Sequence, residues 1–391
     1  MNVSAIPLPA ARDTTRARTH VVPWHIYAAL FASTCVIVGV MWDISWHMTI
    51  GRDSFWTPAH MAIYLGGVVA GVACGWVALR TTFAGTAEEC ATSVRFWHFF
   101  QAPLGAWVCI WGTFAMLTSA PFDNWWHNAY GLDVRILSPP HTVLALGIGA
   151  IQLGALLMTL APQNRAADVA ESRYGVLYAI AAGLLLLNAT IMTSEYHRRI
   201  FMHRALFYMI AGGVFPLYLV SLARGARIKW PATAIAAVYT ALVLAMVWIL
   251  PLFPAQPRLG PIYQNVTHMV PPDFPLLLIA PAIALDVILR RFGHLRGWLL
   301  APMLGAAFFV VFFAVQWSFA DFLNSPYSQN WVFATNNYFY GLPNDSFTYR
   351  HAFFPGVAFE RRWGYAIALA LSMVSAWVGL VVGSWLRRVR R

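Results

Sequence analysis

Charged residues are scarce in this chain. Asp, Glu, Lys and Arg together make up 10% of its 391 residues, against 59% hydrophobic. A soluble globular chain carries about 25% charged residues, so a water-soluble fold of this composition would have to bury nearly all of itself. Disorder is excluded too, because it requires low hydrophobicity and high charge. Lysine is almost missing: Lys229 is the only one among 26 basic residues. Cysteine is rare, and Cys35, Cys74, Cys90 and Cys109 form no CxxC, which suggests neither a disulfide framework nor a zinc site. There is no GxSxG, no GxxxxGK[ST] and no HExxH, so the common hydrolase, nucleotide and zinc-protease signatures are absent. The several His boxes of membrane desaturases and alkane hydroxylases are also missing.

What the chain does have is long apolar runs. Stretches of about 20 apolar residues can cross a bilayer. Ten are expected, over residues 24–48, 58–79, 101–122, 140–161, 174–193, 203–223, 231–253, 273–290, 297–320 and 363–386. The fold class expected is therefore all-α, a polytopic helical bundle in a lipid bilayer. Arg12, Arg16 and Arg18 precede the first run as in a signal peptide, but the run is longer than a signal h-region and contains Asp43. It is read as a retained first helix. Ten crossings put both termini on one side. That side holds 17 of the basic residues and the other holds 9, so the termini are expected in the cytoplasm. The formal charge of +11 then reflects this bias, and a nucleic-acid partner is set aside. Three parts follow: a cytoplasmic segment 1–23, a four-helix half 24–165, and an additional bundle 166–391. The bundle has two long outer loops, a Pro-rich one at 254–272 and an Asn- and aromatic-rich one at 321–362, whose aromatics are expected to anchor at the headgroups.

An internal repeat carries the chemistry. Residues 42–60 read WDISWHMTIGRDSFWTPAH and residues 122–141 read FDNWWHNAYGLDVRILSPPH. Each copy has an aromatic-Asp start, a His four residues on, a Gly, a second Asp ten residues after the first, and a Ser/Thr-Pro-x-His ending. The members are Asp43, His47, Asp53 and His60, then Asp123, His127, Asp133 and His141. Asp and His at i,i+4 share a helix face. Thr57 and Ser138 suit the N-cap and Pro58 and Pro139 the first helical position, which puts His60 and His141 both at the third. The positive end of the helix dipole favours neutral imidazole, the form that binds metal. Each hairpin can thus present one carboxylate and two imidazoles to a point, a donor set suited to iron, copper, zinc or manganese. A single His at a helix end is usually interfacial, but ionisable groups in spans are costly and tend to be functional. Asp53 and Asp133 lie next to or near Arg52 and Arg135, and suit loop salt bridges as well as orientation of ligands from behind.

The spacing Asp-x3-His-x12-His at Asp43, His47 and His60 resembles the copper-ligand triad in the C subunit of particulate methane and ammonia monooxygenases. That subunit has a second triad on a later hairpin, Asn-x3-His-x13-His, to which Asp123, His127 and His141 correspond in spacing and order. The resemblance covers about residues 24–165. It implies a copper site that activates dioxygen to hydroxylate a small inert substrate. It also implies partner membrane and periplasmic subunits, a trimeric oligomer, and a bacterial inner membrane with the metal toward the periplasm. Asp123 departs from the family's Asn, and this second carboxylate makes iron, mononuclear or dinuclear, the alternative. The family subunit is shorter, so residues 166–391 are additional. An external electron donor is required, since no flavin or nicotinamide motif is present. The rival readings are a non-enzymatic metal carrier and a structural subunit whose metal only holds the hairpins; bis-His haem is weakened by the Asp companions. Trp42, Trp46, Trp125 and Trp126 would exclude water, although Trp in such places is more often simple packing. Glu195, His197 and His203 form a further candidate metal group among Arg198, Arg199 and Arg204, for which a basic interfacial loop is the better expectation. His268 and Asp273 faintly echo the repeat, and Asp286, Gln316 and Asp321 are lone polar groups expected to bond to neighbouring helices.

Overall fold

A computed structural model describes residues 22–131, 138–166, 173–258, 265–323, 325–334 and 356–391. Among them the chain is an all-α polytopic bundle, with nine helices long and apolar enough to cross a membrane. Helices α1 (Trp24–Thr49) and α2 (Pro58–Ala84) make the first hairpin. A short helix α3 (Ala87–Ala91) and a two-stranded ribbon, β1 (Val94–Phe96) and β2 (Phe100–Ala102), lead into α4 (Leu104–Tyr130) and α5 (Pro139–Arg165). Then come α6 (Arg173–Met192), α7 (Ala205–Gly225), α8 (Pro231–Ile249), α9 (Ile279–Phe292), α10 (Gly297–Leu323) and α11 (Ala358–Leu386).

The first four spans close into a ring. α1 packs on α2 and α5, and α4 packs on the same two. Small residues set the approach. A Cβ on Gly112 would lie 2.7 Å from the Ile151 amide nitrogen, and one on Gly105 would lie 2.4 Å from the Gly154 carbonyl. Helices without bulk at the contact gain close van der Waals packing, which matters where lipid offers no hydrophobic drive for association. α6 joins this ring to the remaining helices, and one apolar core runs through both halves.

The expected span 273–290 is corrected by the structure. Only α9, with 14 residues, is helical there, a rise of about 21 Å. Pro271, Pro272 and Pro275 break the helical pattern ahead of it. The passage is still made, because Leu276 N bonds Tyr239 Oη midway along α8 and Asp286 reaches the first turn of α8. The segment thus runs antiparallel to α8, first as extended chain and then as helix. Non-helical backbone is tolerated in a membrane only where protein satisfies it. Here Tyr239 and Gln316 do so, accepting from Leu276 N and Leu277 N at 3.0 Å each.

Asp286 is fully buried and caps a neighbouring helix. It accepts from Ala232 N at 3.0 Å, Thr233 N at 2.8 Å and Thr233 Oγ1 at 2.7 Å. An Asp286→Ala change leaves the buried Ala232 amide and the partly buried Thr233 amide without this acceptor, at a cost of about 1–3 kcal/mol. Thermal unfolding in detergent or lipid is expected to show a lower Tm for Asp286→Ala. Asp286→Asn should recover part of it, since one side-chain oxygen remains.

Candidate metal centres

The first centre is assembled by the α1–α2 hairpin. α1 runs through Asp43 and His47 and ends at Thr49. Gly51 then takes φ +103°, a conformation open mainly to glycine, and the chain turns back. The Thr57 hydroxyl accepts from Ser54 N at 2.8 Å, which closes the loop rather than capping α2. Pro58 starts α2 and places His60 in its first turn. The second hairpin follows the same plan. α4 continues past Pro121 through Asp123 and His127, and Gly131 turns the chain at φ +87°. Ser138 caps α5 by accepting from His141 N at 3.3 Å.

In the first centre His60 Nε2 lies 3.2 Å from Asp43 Oδ1 and 3.0 Å from Asp53 Oδ2. His47 Nε2 is 3.7 Å from Asp43 Oδ2 and 3.4 Å from Asp53 Oδ2. In the second, Asp123 meets His127 Nε2 at 3.3 Å and His141 Nε2 at 3.4 Å. Ligating atoms of Asp43, Asp53 and His60 lie within 4.8 Å of one another, as do those of Asp123, His127 and His141. Donors about 2.1 Å from one tetrahedral ion stand about 3.4 Å apart, so this spacing fits a shared cation. Asp43 Oδ1 and Asp123 Oδ1 are buried and make no hydrogen bond of good geometry despite these short approaches. Buried carboxylate oxygens of that kind are costly unless something else occupies their lone pairs. His127 Nδ1 is 3.2 Å from the Gly131 carbonyl. That contact favours the Nδ1–H tautomer and leaves Nε2 as the ligating atom.

Asp53 stands in a different place from the one its sequence neighbours suggest. Its carboxylate faces His47 and His60 rather than Arg52 and is closer to both imidazoles than Asp43 is. Burial alone would raise its pKa, but hydrogen bonds and positive charge from His47 and His60 hold it far below the usual carboxylate range. The first centre thus has two carboxylates and two imidazoles. Asp133, its counterpart in the repeat, lies outside the described residues. The repetition of the second Asp in both copies was the signal for Asp53, and the adjacent arginine obscured it.

The two centres are neighbours. α2 and α4 cross where a Cβ on Gly67 would lie 2.1 Å from Met116 Cε. Seven residues outward from that level stand His60 on α2 and Asp123 on α4. Tyr64, beside the His60 ring at 6.1 Å, lies in the field of Asp123, Asp53 and Asp43 together. The second half braces the first centre. Ser45 Oγ donates to the Val270 carbonyl at 2.5 Å, and Val270 N donates to Thr49 Oγ1 at 2.8 Å. Arg258 N also bonds the Ile50 carbonyl at 3.0 Å. Part of the Pro-rich outer loop is therefore packed on α1, with Val266, Met269 and Val270 buried. Of the four tryptophans, Trp42 and Trp46 are partly buried beside the first centre, whereas Trp125 is exposed.

The group at Glu195, His197 and His203 is not brought together as a metal cluster among the described residues. His197 is buried between Phe207 and Phe215. His203 stacks on Trp317 at 4.0 Å and meets Asp321 at 3.3 Å. Arg204 makes a two-pronged pair with Glu360 at 2.6 and 2.7 Å. His268 touches Thr267, and Asp273 is exposed. Comparison with protein-family models, curated proteins and solved structures yields no match for this chain.

Burial pushes the His197 imidazole down to about 3. A lowered histidine pKa contributes stability that is full above about 6.5 and falls as pH drops toward the folded value. Stability measured between those limits should decline more steeply in the wild type than in His197→Phe. Equal slopes in the two proteins would remove His197 as a source of the acid sensitivity.

Proposed function

We propose that the protein is a membrane-embedded metal-binding protein whose two outer-end centres activate dioxygen for hydroxylation of a small substrate. The observation that carries the proposal is the convergence of Asp43, Asp53 and His60 on one hairpin and of Asp123, His127 and His141 on the other, each group at ligand spacing, with His47 close to both carboxylates of the first. Asp43, His47, Asp53 and His60 would hold one ion, and Asp123, His127 and His141 another. Copper is the first assignment, following the spacing shared with the C subunit of the copper membrane monooxygenases. Iron is the alternative, favoured by the extra carboxylate at the first centre, since hard oxygen donors shift the preference away from copper. A bound ion of this kind would supply a redox-active Lewis acid.

The chain's own contribution is positioning. The His127–Gly131 contact orients one imidazole, and the Val270 bonds to Ser45 and Thr49 steady the α1 end that bears Asp43 and His47. Electrons come from an external donor. Placement in a bacterial inner membrane and the partner subunits rest on the family likeness, and the arginine bias supports centres on the side opposite the termini. A carrier is the second reading. It is disfavoured because the candidate ligands sit at one end of the bundle, whereas transport needs polar groups through the bilayer.

Metal content decides the proposal. Wild-type protein in native-like lipid, reconstituted with copper, iron and zinc in turn, is expected to retain copper or iron in stoichiometric amount. A His47→Ala, His127→Ala double variant should lose it. Oxygen uptake with an added reductant should disappear with the metal. No tightly held metal in the wild type would overturn the proposal. Metal without oxygen uptake would leave only a structural role.

A further inference from the structure

The end of the bundle opposite the candidate centres holds a fixed group of cations. α5 leads from His141 in the second centre to Gln163 and Asn164, a rise of about 33 Å. There Gln163 Nε2 donates to the Gly225 carbonyl at 3.1 Å, and Asn164 Nδ2 donates to the carbonyls of Leu386 at 2.9 Å and Val389 at 2.8 Å. The last turn of α7 and the chain leaving α11 are thereby held side by side. Their approach is close: a Cβ on Gly383 would lie 2.7 Å from Arg224 Cβ, and one on Gly225 would lie 3.1 Å from Leu386 Cβ. Arg224 Nε donates to Ser384 Oγ at 3.1 Å. Arg387 and Arg388 follow Ser384 by three and four residues, a spacing that keeps them on its side of the helix. The turn stays wound, with Arg387 N bonded to the Gly383 carbonyl at 3.1 Å and Arg388 N to that of Trp385 at 2.8 Å. Three arginines thus gather about Ser384, Arg224 half-buried and the other two exposed. Among the described residues no carboxylate pairs with any of them.

We infer that Arg224, Arg387 and Arg388 bind the phosphate of an anionic phospholipid whose acyl chain lies along α11. Like charges held together repel, and an anion among them turns repulsion into attraction. Guanidinium forks match phosphate oxygens two at a time, and basic groups at helix ends on one side of a membrane are suited to acidic headgroups. The surface beside the arginines selects a lipid over a soluble anion. Val374, Trp377, Val381 and Trp385 are all exposed. Their spacing of three, four and four residues puts them in one stripe down α11, and the stripe ends at Trp385, one turn before Arg388. Tryptophan favours the headgroup level, so the stripe meets the arginines where a phosphate would stand. A soluble phosphate would use the cations and leave the stripe unused.

The test uses the full-length protein, delipidated in neutral detergent and titrated with phosphatidylglycerol or phosphatidylcholine, with bound lipid counted by native mass spectrometry. The wild type is expected to retain phosphatidylglycerol in preference to phosphatidylcholine. Its Tm should rise with the bound lipid, since a ligand of the folded state stabilises it. An Arg387→Gln, Arg388→Gln variant, altered only on the exposed tail, should bind phosphatidylglycerol about fivefold more weakly for each charge removed. Arg290→Gln with Arg291→Gln removes the same charge from the end of α9, where Arg290 lies over the Trp230 ring at 4.7 Å, and should bind as the wild type does. Inorganic phosphate is expected to leave the lipid in place. Equal retention of the two lipids, unchanged binding in the tail variant, an equal loss in the α9 variant, or displacement by inorganic phosphate would overturn the inference.

Discussion

An acid or imidazole at the end of an apolar helix must find a partner, because neither lipid nor protein core solvates it as water does. In the first half of this protein that requirement is met by making such groups serve one another. Asp43 and Asp53 share His47 and His60, and Asp123 shares His127 and His141. The convergence needs a particular hairpin. The acid and the first imidazole are one helical turn apart, a glycine reverses the chain at positive φ, and a proline restarts the helix so that the last imidazole enters in its first turn. Each convergent set pulls several negative and polar atoms into a space suited to a cation. The same geometry therefore stabilises the hairpin and prepares a site.

Packing decides where those sites stand relative to each other. Glycines at the α2–α4 and α4–α5 crossings remove the side chains that would hold the helices apart. Because α2 and α4 meet at Gly67 and Met116, His60 and Asp123 come to one level, and Tyr64 stands beside the His60 ring. The second half is not a passive appendage. Its extended segment ties α1 through Val270, and the cost of leaving that segment non-helical is met by Tyr239 and Gln316. Asp286 repeats the economy of the whole molecule: one buried acid satisfies the exposed amides of another helix.

Most of the architecture was legible in the sequence because membrane spans are written in composition. A run of apolar residues long enough for the bilayer has few alternatives to a helix, and nine of the ten expected spans stand as such helices among the described residues. The tenth fails where prolines precede α9, since proline removes the amides a helix needs. The sequence also pairs each acid with its imidazoles, because i,i+4 spacing and a proline-initiated helix start are local geometry. Residue order alone thus determined the helices, their hairpins and which polar residues share each helix end. Tertiary structure alone decided that Asp53 turns to the imidazoles rather than to Arg52, that α2 and α4 bring His60 and Asp123 to one level, and that Val270 braces α1. The physical reason is that these depend on the angle and depth at which helices cross, which small residues at the contacts set and which no local pattern encodes.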